Sequence, residues 1–361
     1  MAYSLDQIDW CDVPLLQAIP DPAWERDVTR RFGFASNLAQ YLTPVRWLMD
    51  AEQFGEARVT PSISVPLRAF ISMVVAMDSS CRHCYGAFRS MLRILGYPEG
   101  LMRELEESFA ANQLTNKEQA ALDFARKVSR SAPRPSVSDL RELTAVGYSQ
   151  LEIAEIAYLA SINAGGNRLA TLLAVPPSPL EQIDANWFDK LKRPFTRKEF
   201  RSALSSILNV SYPVEFVGPG AGIVRALKGS PASAVLATVL NGAWNSPITS
   251  RRVKALIFAV VARGLGCQAC ESEAAEALRD EGWTDPEIEH VLTYLTSPKL
   301  DAFELKVLGF ARETVRYQTR RLQELAQTFA AGLKREVLLE VIGLVCYANG
   351  LARMSILLHR C

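Results

Sequence analysis

Apolar residues recur along most of this chain at the spacing of amphipathic or buried helices. The helices that this spacing predicts most clearly span residues 66–77, 115–130, 149–174, 252–264 and 334–358. Thr115 opens the second of these segments and Glu118 follows three residues later, which is the arrangement of a capping box. No run alternates apolar and polar residues over the length of a strand between turn signals. The pattern therefore predicts an all-α fold.

Glycines stand inside two of these predicted helices. Segment 149–174 contains Gly165 and Gly166, and segment 334–358 contains Gly350. A glycine in a helix interior costs stability relative to alanine. We therefore expect these helices to approach a neighbour closely at the glycines.

The sequence repeats itself at an offset of 186 residues, so that Cys81 and Cys84 correspond to Cys267 and Cys270. Other matches at this offset are 124–126 (Phe-Ala-Arg) with 310–312, 74–76 (Val-Val-Ala) with 260–262, Pro61 with Pro247, Leu92 with Leu278, Glu118 with Glu304 and Asn163 with Asn349. One-residue adjustments are needed only near Gly147 and Gly332. Scattered Leu and Ala matches arise by chance, but this combination does not. The repeat predicts a tandem duplication.

The predicted boundaries follow from the repeat and from a proline-rich stretch. Three prolines within 176–179 end a helix and favour extended geometry. We predict a first domain over 1–175, with its core at about 60–175, a linker over 176–201 and a second domain over 202–361. The two domains are expected to pack as an internal pseudo-dimer.

Composition and charge narrow the class of protein. Of 361 residues, 49% are hydrophobic and 22% charged, as in an ordinary soluble globular chain. Forty basic and thirty-nine acidic side chains leave a formal charge of +1, which disfavours nucleic acid and anionic membranes as partners. The N-terminus lacks a basic region followed by an apolar run, and no segment reaches 18 uncharged apolar residues. We therefore expect a cytoplasmic protein.

Seven cysteines are present, and four of them form two C-x-x-C pairs. Cys11, Cys346 and Cys361 stand alone. In a reducing compartment such pairs are more often redox-active or metal-binding than structural. A four-thiolate zinc site is disfavoured because the pairs lie far apart on duplicated helices and not on short knuckles. No haem, di-iron or nucleotide motif is present, so we predict no metal and no cofactor.

The first pair is expected at the start of a helix that Ser79 and Ser80 cap, with Cys81 in its first turn and Cys84 one turn further. Backbone donors and the macrodipole at a helix N-terminus favour a thiolate over a thiol. The second pair follows Gly266, which offers no hydroxyl cap, and has acidic neighbours. Its thiolate is expected to be less favoured.

His83 lies between the two cysteines of the first pair. It could exchange protons during sulfur chemistry, or it could be a surface histidine on the first turn of the helix. Both interpretations stay open from the sequence.

Several motifs together resemble the alkyl hydroperoxidase D and carboxymuconolactone decarboxylase superfamily, most closely its peroxidase-related branch. These are an apolar helix, C-x-x-C at the start of the next helix, A-L-D-F-A-R-K at 121–127, G-Y-S-Q-x-E-I-x-E-I at 147–156, and a terminal helix with N-x-x-x-N-R at Asn163, Asn167 and Arg168. The resemblance covers about 60–175 and repeats more faintly over 246–358.

This resemblance implies an all-α fold, oligomers built from paired subunits, and a cofactor-independent disulfide peroxidase. Carried over to this sequence, it makes Cys84 the peroxidatic cysteine and Cys81 the resolving one. His83 matches a histidine that some members place inside the pair. Cys270 and Cys267 are the corresponding candidates in the second copy.

The chain departs from the family at the proton relay. Family peroxidases have a glutamate twelve residues before the first cysteine and a histidine four residues after the second. The corresponding residues are Ala69 and Phe88 in the first copy and Ala255 and Ala274 in the second. Arg68 and Lys254 lie one position earlier, where a cation near the pair could stabilise a thiolate.

The sequence thus favours a thiol-disulfide oxidoreductase, with an alkyl hydroperoxide or another small molecule as substrate. A dithiol or thioredoxin-like electron donor and a homo-oligomeric state are expected with it. One alternative is a non-redox enzyme of the decarboxylase type that acts on a small organic acid or biosynthetic intermediate. The other is a catalytically weak interaction protein, suggested by the missing relay residues.

Overall fold

A computed structural model describes residues 8–11, 13–32, 36–54, 59–177, 198 and 215–360. Within these ranges the chain is helical and has no β-strand. The first nine helices are α1 (Pro22–Phe32), α2 (Ala39–Leu42), α3 (Arg46–Phe54), α4 (Val65–Asp78), α5 (Arg82–Leu95), α6 (Glu99–Ser108), α7 (Asn116–Ser129), α8 (Val137–Ala145) and α9 (Gln150–Leu172).

Residues 215–360 contribute the other described helices. They are α10 (Ala221–Ala226), α11 (Pro231–Asn245), α12 (Arg251–Leu265), α13 (Gln268–Asp280), α14 (Asp285–Tyr294), α15 (Ala302–Glu313), α16 (Thr319–Ala330) and α17 (Arg335–Arg353), which is followed by a 3-10 helix over Met354–Arg360. The predicted all-α class is confirmed. Of the predicted linker, only 176, 177 and 198 lie within the described residues.

The predicted helices are confirmed with small changes at their ends. The capping box of α7 is present, with the Thr115 hydroxyl accepting from the Glu118 N–H and the Glu118 carboxylate accepting from the Thr115 N–H. The predicted helix over 334–358 ends earlier, at Arg353. There the side chain of Arg134 donates to the carbonyl of Ala352 and to the hydroxyl of Ser355, which satisfies a last-turn carbonyl without a further turn of α-helix.

Two groups of three helices form the core of the molecule. In the first half, α4, α7 and α9 pack on one another, and in the second half α12 packs on α15 and α17. The pairs α4/α5 and α12/α13 place the two C-x-x-C sequences beside these groups. The two groups meet along α9 and α17, so one continuous buried core runs through both halves.

Glycine allows α9 and α17 to approach closely. A Cβ atom on Gly165 would lie 3.0 Å from the carbonyl oxygen of Cys346, and one on Gly350 would lie 3.2 Å from that of Ser161. The predicted close approach is confirmed at these two positions. A Cβ atom on Gly166 would meet nothing within 4 Å, so the contact does not extend to that residue.

Two buried arginines join the halves further. The Nε atom of Arg168 donates to the carbonyl of Thr314 at 3.2 Å, and the Nε atom of Arg353 donates to the carbonyl of Ser129 at 2.9 Å. Burial lowers the pKa of Arg168 to about 10 and holds that of Arg353 well below its ordinary value. Each guanidinium thus satisfies carbonyls at the end of a helix in the other half.

Residues that precede each group of core helices also contact the other half of the chain. Trp47 on α3 packs against Gly242 and Gly343, and its indole nitrogen donates to Glu340 at 3.3 Å. The hydroxyl of Ser230 donates to Glu155 at 2.7 Å. Packing therefore interlocks the two halves in both directions.

One described helical segment, Arg335–Leu358, is long and apolar enough to cross a membrane. Of its most apolar stretch, 83% is buried inside the fold. A core helix of a soluble protein has the same length and composition, so this segment is weak evidence for a membrane span.

Candidate functional site: the Cys81–Cys84 pair

The first C-x-x-C pair lies where α5 begins. Cys81 is the N-cap residue of α5, and its sulfur accepts a hydrogen bond from the backbone N–H of Cys84 at 3.3 Å. The prediction that Ser79 and Ser80 cap this helix is therefore wrong. Ser79 terminates α4, and Ser80, with a φ of 46°, makes the left-handed turn between the two helices. Because this turn delays the start of α5 until Arg82, the sulfur occupies the position of a capping hydroxyl.

The two sulfurs differ in their exposure. Cys81 is completely buried, whereas Cys84 is half-buried at the edge of the core. No disulfide joins them. Cys84 is therefore the residue of this pair that solvent reaches.

The second pair repeats this local geometry in a more enclosed place. Cys267 is the N-cap of α13, and its sulfur accepts from the Cys270 N–H at 3.2 Å. These two cysteines form a disulfide, with Cα atoms 5.4 Å apart, and are 3% and 8% exposed. Glu273 on the same helix accepts from the N–H groups of Gly220 and Gly222, which fixes α10 against α13. The two pairs therefore differ in exposure and oxidation, and not in how their helices are capped.

His83 is anchored and not simply exposed to solvent. Its Nδ1 atom lies 2.6 Å from the carbonyl oxygen of Pro176. Because a carbonyl only accepts, Nδ1 carries the proton in this contact and Nε2 is left as the acceptor nitrogen. Burial lowers the pKa of His83, and the bond to Pro176 opposes that shift. The imidazole is therefore neutral near pH 7.

A tyrosine of the second half is hydrogen-bonded to α9 of the first half. Tyr317 stands in the loop between α15 and α16, and its hydroxyl donates to the carbonyl of Asn167 at 3.1 Å and shares a hydrogen bond with Thr171. Sequence reasoning did not identify this residue. Its counterpart is Ser131 at an offset of 186 and Ala132 at an offset of 185, so the repeat carries no signal for it.

The two cations considered near the pairs have carboxylate neighbours. Arg68 is buried and interacts electrostatically with Glu155. Lys254 is completely buried, 4.0 Å from Glu340, and donates to the carbonyl of Ser246 at 2.6 Å. The carboxylates that interact with these two cations lie on α9 and α17.

The face of α5 next to Cys84 carries a second polar cluster. The hydroxyl of Tyr85 donates to Glu106, and Arg89 donates to the same carboxylate at 2.7 Å. Burial and the negative charge of Glu106 raise the pKa of Tyr85 far above its ordinary value. Tyr85 is therefore a neutral residue that ties α5 to α6.

A metal centre has no support in the described part of the chain. Within those ranges no group of three or more histidine, cysteine, aspartate or glutamate side chains is arranged to hold a metal ion.

A scan of the sequence against protein-family models finds no match. Searches of curated proteins and of solved structures find no significant match either.

Proposed function

We propose that this protein is a thiol-disulfide oxidoreductase in which Cys81 and Cys84 form a reversible dithiol, with alkyl hydroperoxides as the substrate class. The observation that carries the proposal is the pair itself: a half-exposed Cys84 one turn into α5, and a buried Cys81 whose sulfur caps that helix. Cysteines at a helix N-terminus are favoured as thiolates, and the thiolate is the attacking form.

The roles of the two sulfurs follow from their exposure. Cys84 is the sulfur that a substrate can contact, and so it attacks first. Cys81, at 0% exposure, is reached only from within the protein, which suits a resolving cysteine. This assignment agrees with the one that the family resemblance implies.

The reaction balances with a hydroperoxide as the two-electron oxidant. The Cys84 thiolate attacks the terminal peroxide oxygen, the O–O bond breaks, and an alcohol leaves after taking a proton, so that Cys84 becomes a sulfenic acid. The Cys81 sulfur then attacks the Cys84 sulfur, the S–O bond breaks, and water leaves with the thiol proton. A dithiol or thioredoxin-like donor reduces the resulting disulfide by exchange.

The second pair serves the fold in this proposal. Cys267 and Cys270 are both buried, and α10 and the 3-10 helix over Met354–Arg360 pack against α13. A donor that reduces disulfides by sulfur contact needs access that this position does not offer.

We also propose that the chain is a tandem duplication of one alkyl-hydroperoxidase-D-like domain, folded as an internal pseudo-dimer. Two reciprocal contacts support this, at an offset of 185 residues, one less than the 186 of the sequence matches. Gly165 approaches Cys346 while Gly350 approaches Ser161. The Arg168 to Thr314 hydrogen bond is likewise matched by that from Arg353 to Ser129. Reciprocal contacts of this kind are what a two-fold axis between equal domains produces.

Two further parts of the proposal concern the setting of the enzyme. A cytoplasmic location fits a pair that must be returned to the dithiol state by a reducing compartment. A homo-oligomer is proposed on the family resemblance.

The test is a count of reduced thiols in denaturant before and after one equivalent of cumene hydroperoxide. We expect the wild type to lose two thiols per chain and Cys84→Ser to lose none at the same peroxide concentration. Cys11→Ser is the matched control, because Cys11 is also half-buried and outside a disulfide, and it should behave as the wild type. A wild-type protein that keeps all its thiols would contradict the proposal.

A further inference from the structure

The chain turns sharply between α4 and α5, immediately before the first cysteine pair. Ser80 has a φ of 46°, and its N–H donates to the carbonyl of Met77 at 2.9 Å. The N–H of Cys81 donates to the carbonyl of Ala76 at 3.1 Å. These two bonds and the left-handed residue make a Schellman motif, whose left-handed position favours glycine. A residue with a side chain costs conformational energy at this corner.

The corner before the second pair is built in the same way, but with a glycine. Gly266 has a φ of 66°, and its N–H donates to the carbonyl of Arg263 at 3.2 Å. The N–H of Cys267 donates to the carbonyl of Ala262 at 2.9 Å. In this pair the Cys267 sulfur accepts from the Cys270 N–H while the two cysteines are joined by a disulfide. The corner and the sulfur cap are therefore compatible with a closed disulfide.

A threonine of the second half of the chain holds the first corner. Thr319, the first residue of α16, shares its hydroxyl proton between the carbonyls of Ser79 and Ser80, at 3.4 and 3.2 Å. The Ser80 carbonyl belongs to the peptide that leads into Cys81. A rotation of Ser80 towards an ordinary backbone conformation would therefore break the bond to Thr319 and move Cys81.

The second corner is contacted by the first half in return. The guanidinium of Arg134 donates to the carbonyl of Leu265, which corresponds to Ser79 at the offset of 186. Arg134 and Thr319 correspond at an offset of 185. Each half thus fixes the corner that carries the cysteine pair of the other half. At the first corner this contact also holds a residue in a conformation that costs energy.

We propose that Thr319 is a positioning residue of the Cys81–Cys84 site, which holds the left-handed Ser80, and through it the Cys81 sulfur, where the disulfide with Cys84 can close. This inference rests on the proposed function and assigns part of the first site to the other half of the chain. The Cys81 sulfur lies 3.3 Å from the Cys84 backbone nitrogen, and the corresponding distance in the joined second pair is 3.2 Å. The dithiol therefore already has the local geometry of a closed pair.

The test is the equilibrium between the Cys81–Cys84 dithiol and its disulfide in buffers of reduced and oxidised glutathione. Oxidised glutathione takes the two electrons and the two thiol protons, and leaves as two molecules of reduced glutathione. After blocking of thiols and tryptic digestion, joined peptides 69–82 and 83–89 report the disulfide, and the alkylated peptides report the dithiol. We expect Thr319→Val to shift the equilibrium about fivefold towards the dithiol, as for the loss of one ordinary hydrogen bond.

Two controls separate the hydroxyl from the rest of the residue. Thr319→Ser keeps the hydroxyl and should keep the wild-type equilibrium. Thr328→Val removes a hydroxyl of the same helix that donates to the Glu324 carbonyl, and it should also match the wild type. Equal shifts in Thr319→Val and Thr319→Ser would overturn the inference, because serine can still donate to the corner.

Glycine at the corner provides an independent measurement. It adopts a positive φ without steric cost, as Gly266 does before the second pair. Ser80→Gly in the Thr319→Val background should therefore restore the wild-type equilibrium, and it keeps the test open if Thr319→Val alone does not fold. A folded Thr319→Val protein with the wild-type equilibrium, or a double variant that stays shifted, would overturn the inference.

Failure of the inference can be told apart from failure of the proposed function. The exchange with glutathione needs no peroxide. A wild-type protein that loses no thiols with cumene hydroperoxide would overturn the proposed function, whereas the variants in glutathione decide the role of Thr319.

Discussion

At the residue scale, the Cys81–Cys84 pair encloses a histidine whose protonation state is set by its surroundings. His83 is neutral because it is desolvated, and its Nδ1 proton is bound to Pro176. Protonating this half-buried imidazole in the folded state costs more than in the unfolded chain. The residue therefore links the stability of the fold to pH.

We expect the free energy of unfolding of the wild type to fall as the pH drops below about 6.5, the ordinary pKa of histidine. Because folding lowers the pKa of His83, the unfolded chain binds the proton at a higher pH than the folded protein does. The contribution of His83 to the free energy of unfolding is therefore kept above pH 6.5 and lost below it, by at most about 1.4 kcal/mol per pH unit. His83→Asn keeps a donor for Pro176 without titrating and should lack this component. Urea unfolding at pH 5, 6, 7 and 8 measures the free energy of unfolding of both proteins. The same dependence of that free energy on pH in the wild type and in His83→Asn would contradict the prediction.

The sequence predicts some residues of the candidate site and not others. Cys81 and Cys84 are recognisable because C-x-x-C needs only four consecutive residues. The bond from Tyr317 to Asn167 was not predictable, because 150 residues separate the two and only the packing of the halves brings them together. The capping role of the Cys81 sulfur was missed for a local reason, the left-handed Ser80, which a preference for serine caps does not reveal.

At the element scale, the crossing of α9 and α17 organises the molecule. The carbonyl oxygens of Cys346 and Ser161 occupy the space where side chains at Gly165 and Gly350 would begin. Helix periodicity and the interior glycines predicted both helices and their close approach. The partner of each glycine required three-dimensional packing, which periodicity does not contain.

Adjacent glycines of α9 provide a matched test of this contact. Gly165→Ala should destabilise the protein by about 1–3 kcal/mol, because its Cβ would meet a backbone carbonyl at 3.0 Å that cannot move independently. Gly166→Ala meets no atom within 4 Å and should stabilise it by about 0.5–1 kcal/mol through helix propensity. Urea denaturation measures the free energy of unfolding of both variants. Equal changes in that free energy would show that the contact at Gly165 does not affect stability.

At the scale of the whole molecule, the halves are interlocked more than a division by sequence suggests. Trp47 reaches Glu340, Ser230 reaches Glu155, and Arg168 satisfies a carbonyl of the other half from within the core. Removing either half would expose buried polar groups as well as apolar surface. The repeat predicted two similar halves that pack on each other, but it carries no signal for the contacts of Trp47 and Ser230, which lie before each repeated core.

We therefore expect one cooperative thermal transition, with equal calorimetric and van't Hoff enthalpies. Differential scanning calorimetry at neutral pH measures both quantities. Two separate transitions, each with about half of the total enthalpy, would contradict the interlocked arrangement.

The central claim is that Cys81 and Cys84 are a reversible dithiol, and peptide mapping tests it most directly. Trypsin cleaves after Arg82 and so places the two cysteines on separate peptides, 69–82 and 83–89. After one equivalent of cumene hydroperoxide, blocking of remaining thiols and non-reducing digestion, the account predicts that these peptides are found joined by a disulfide, and that a dithiol separates them. Recovery of both peptides as singly alkylated, unjoined species would contradict it.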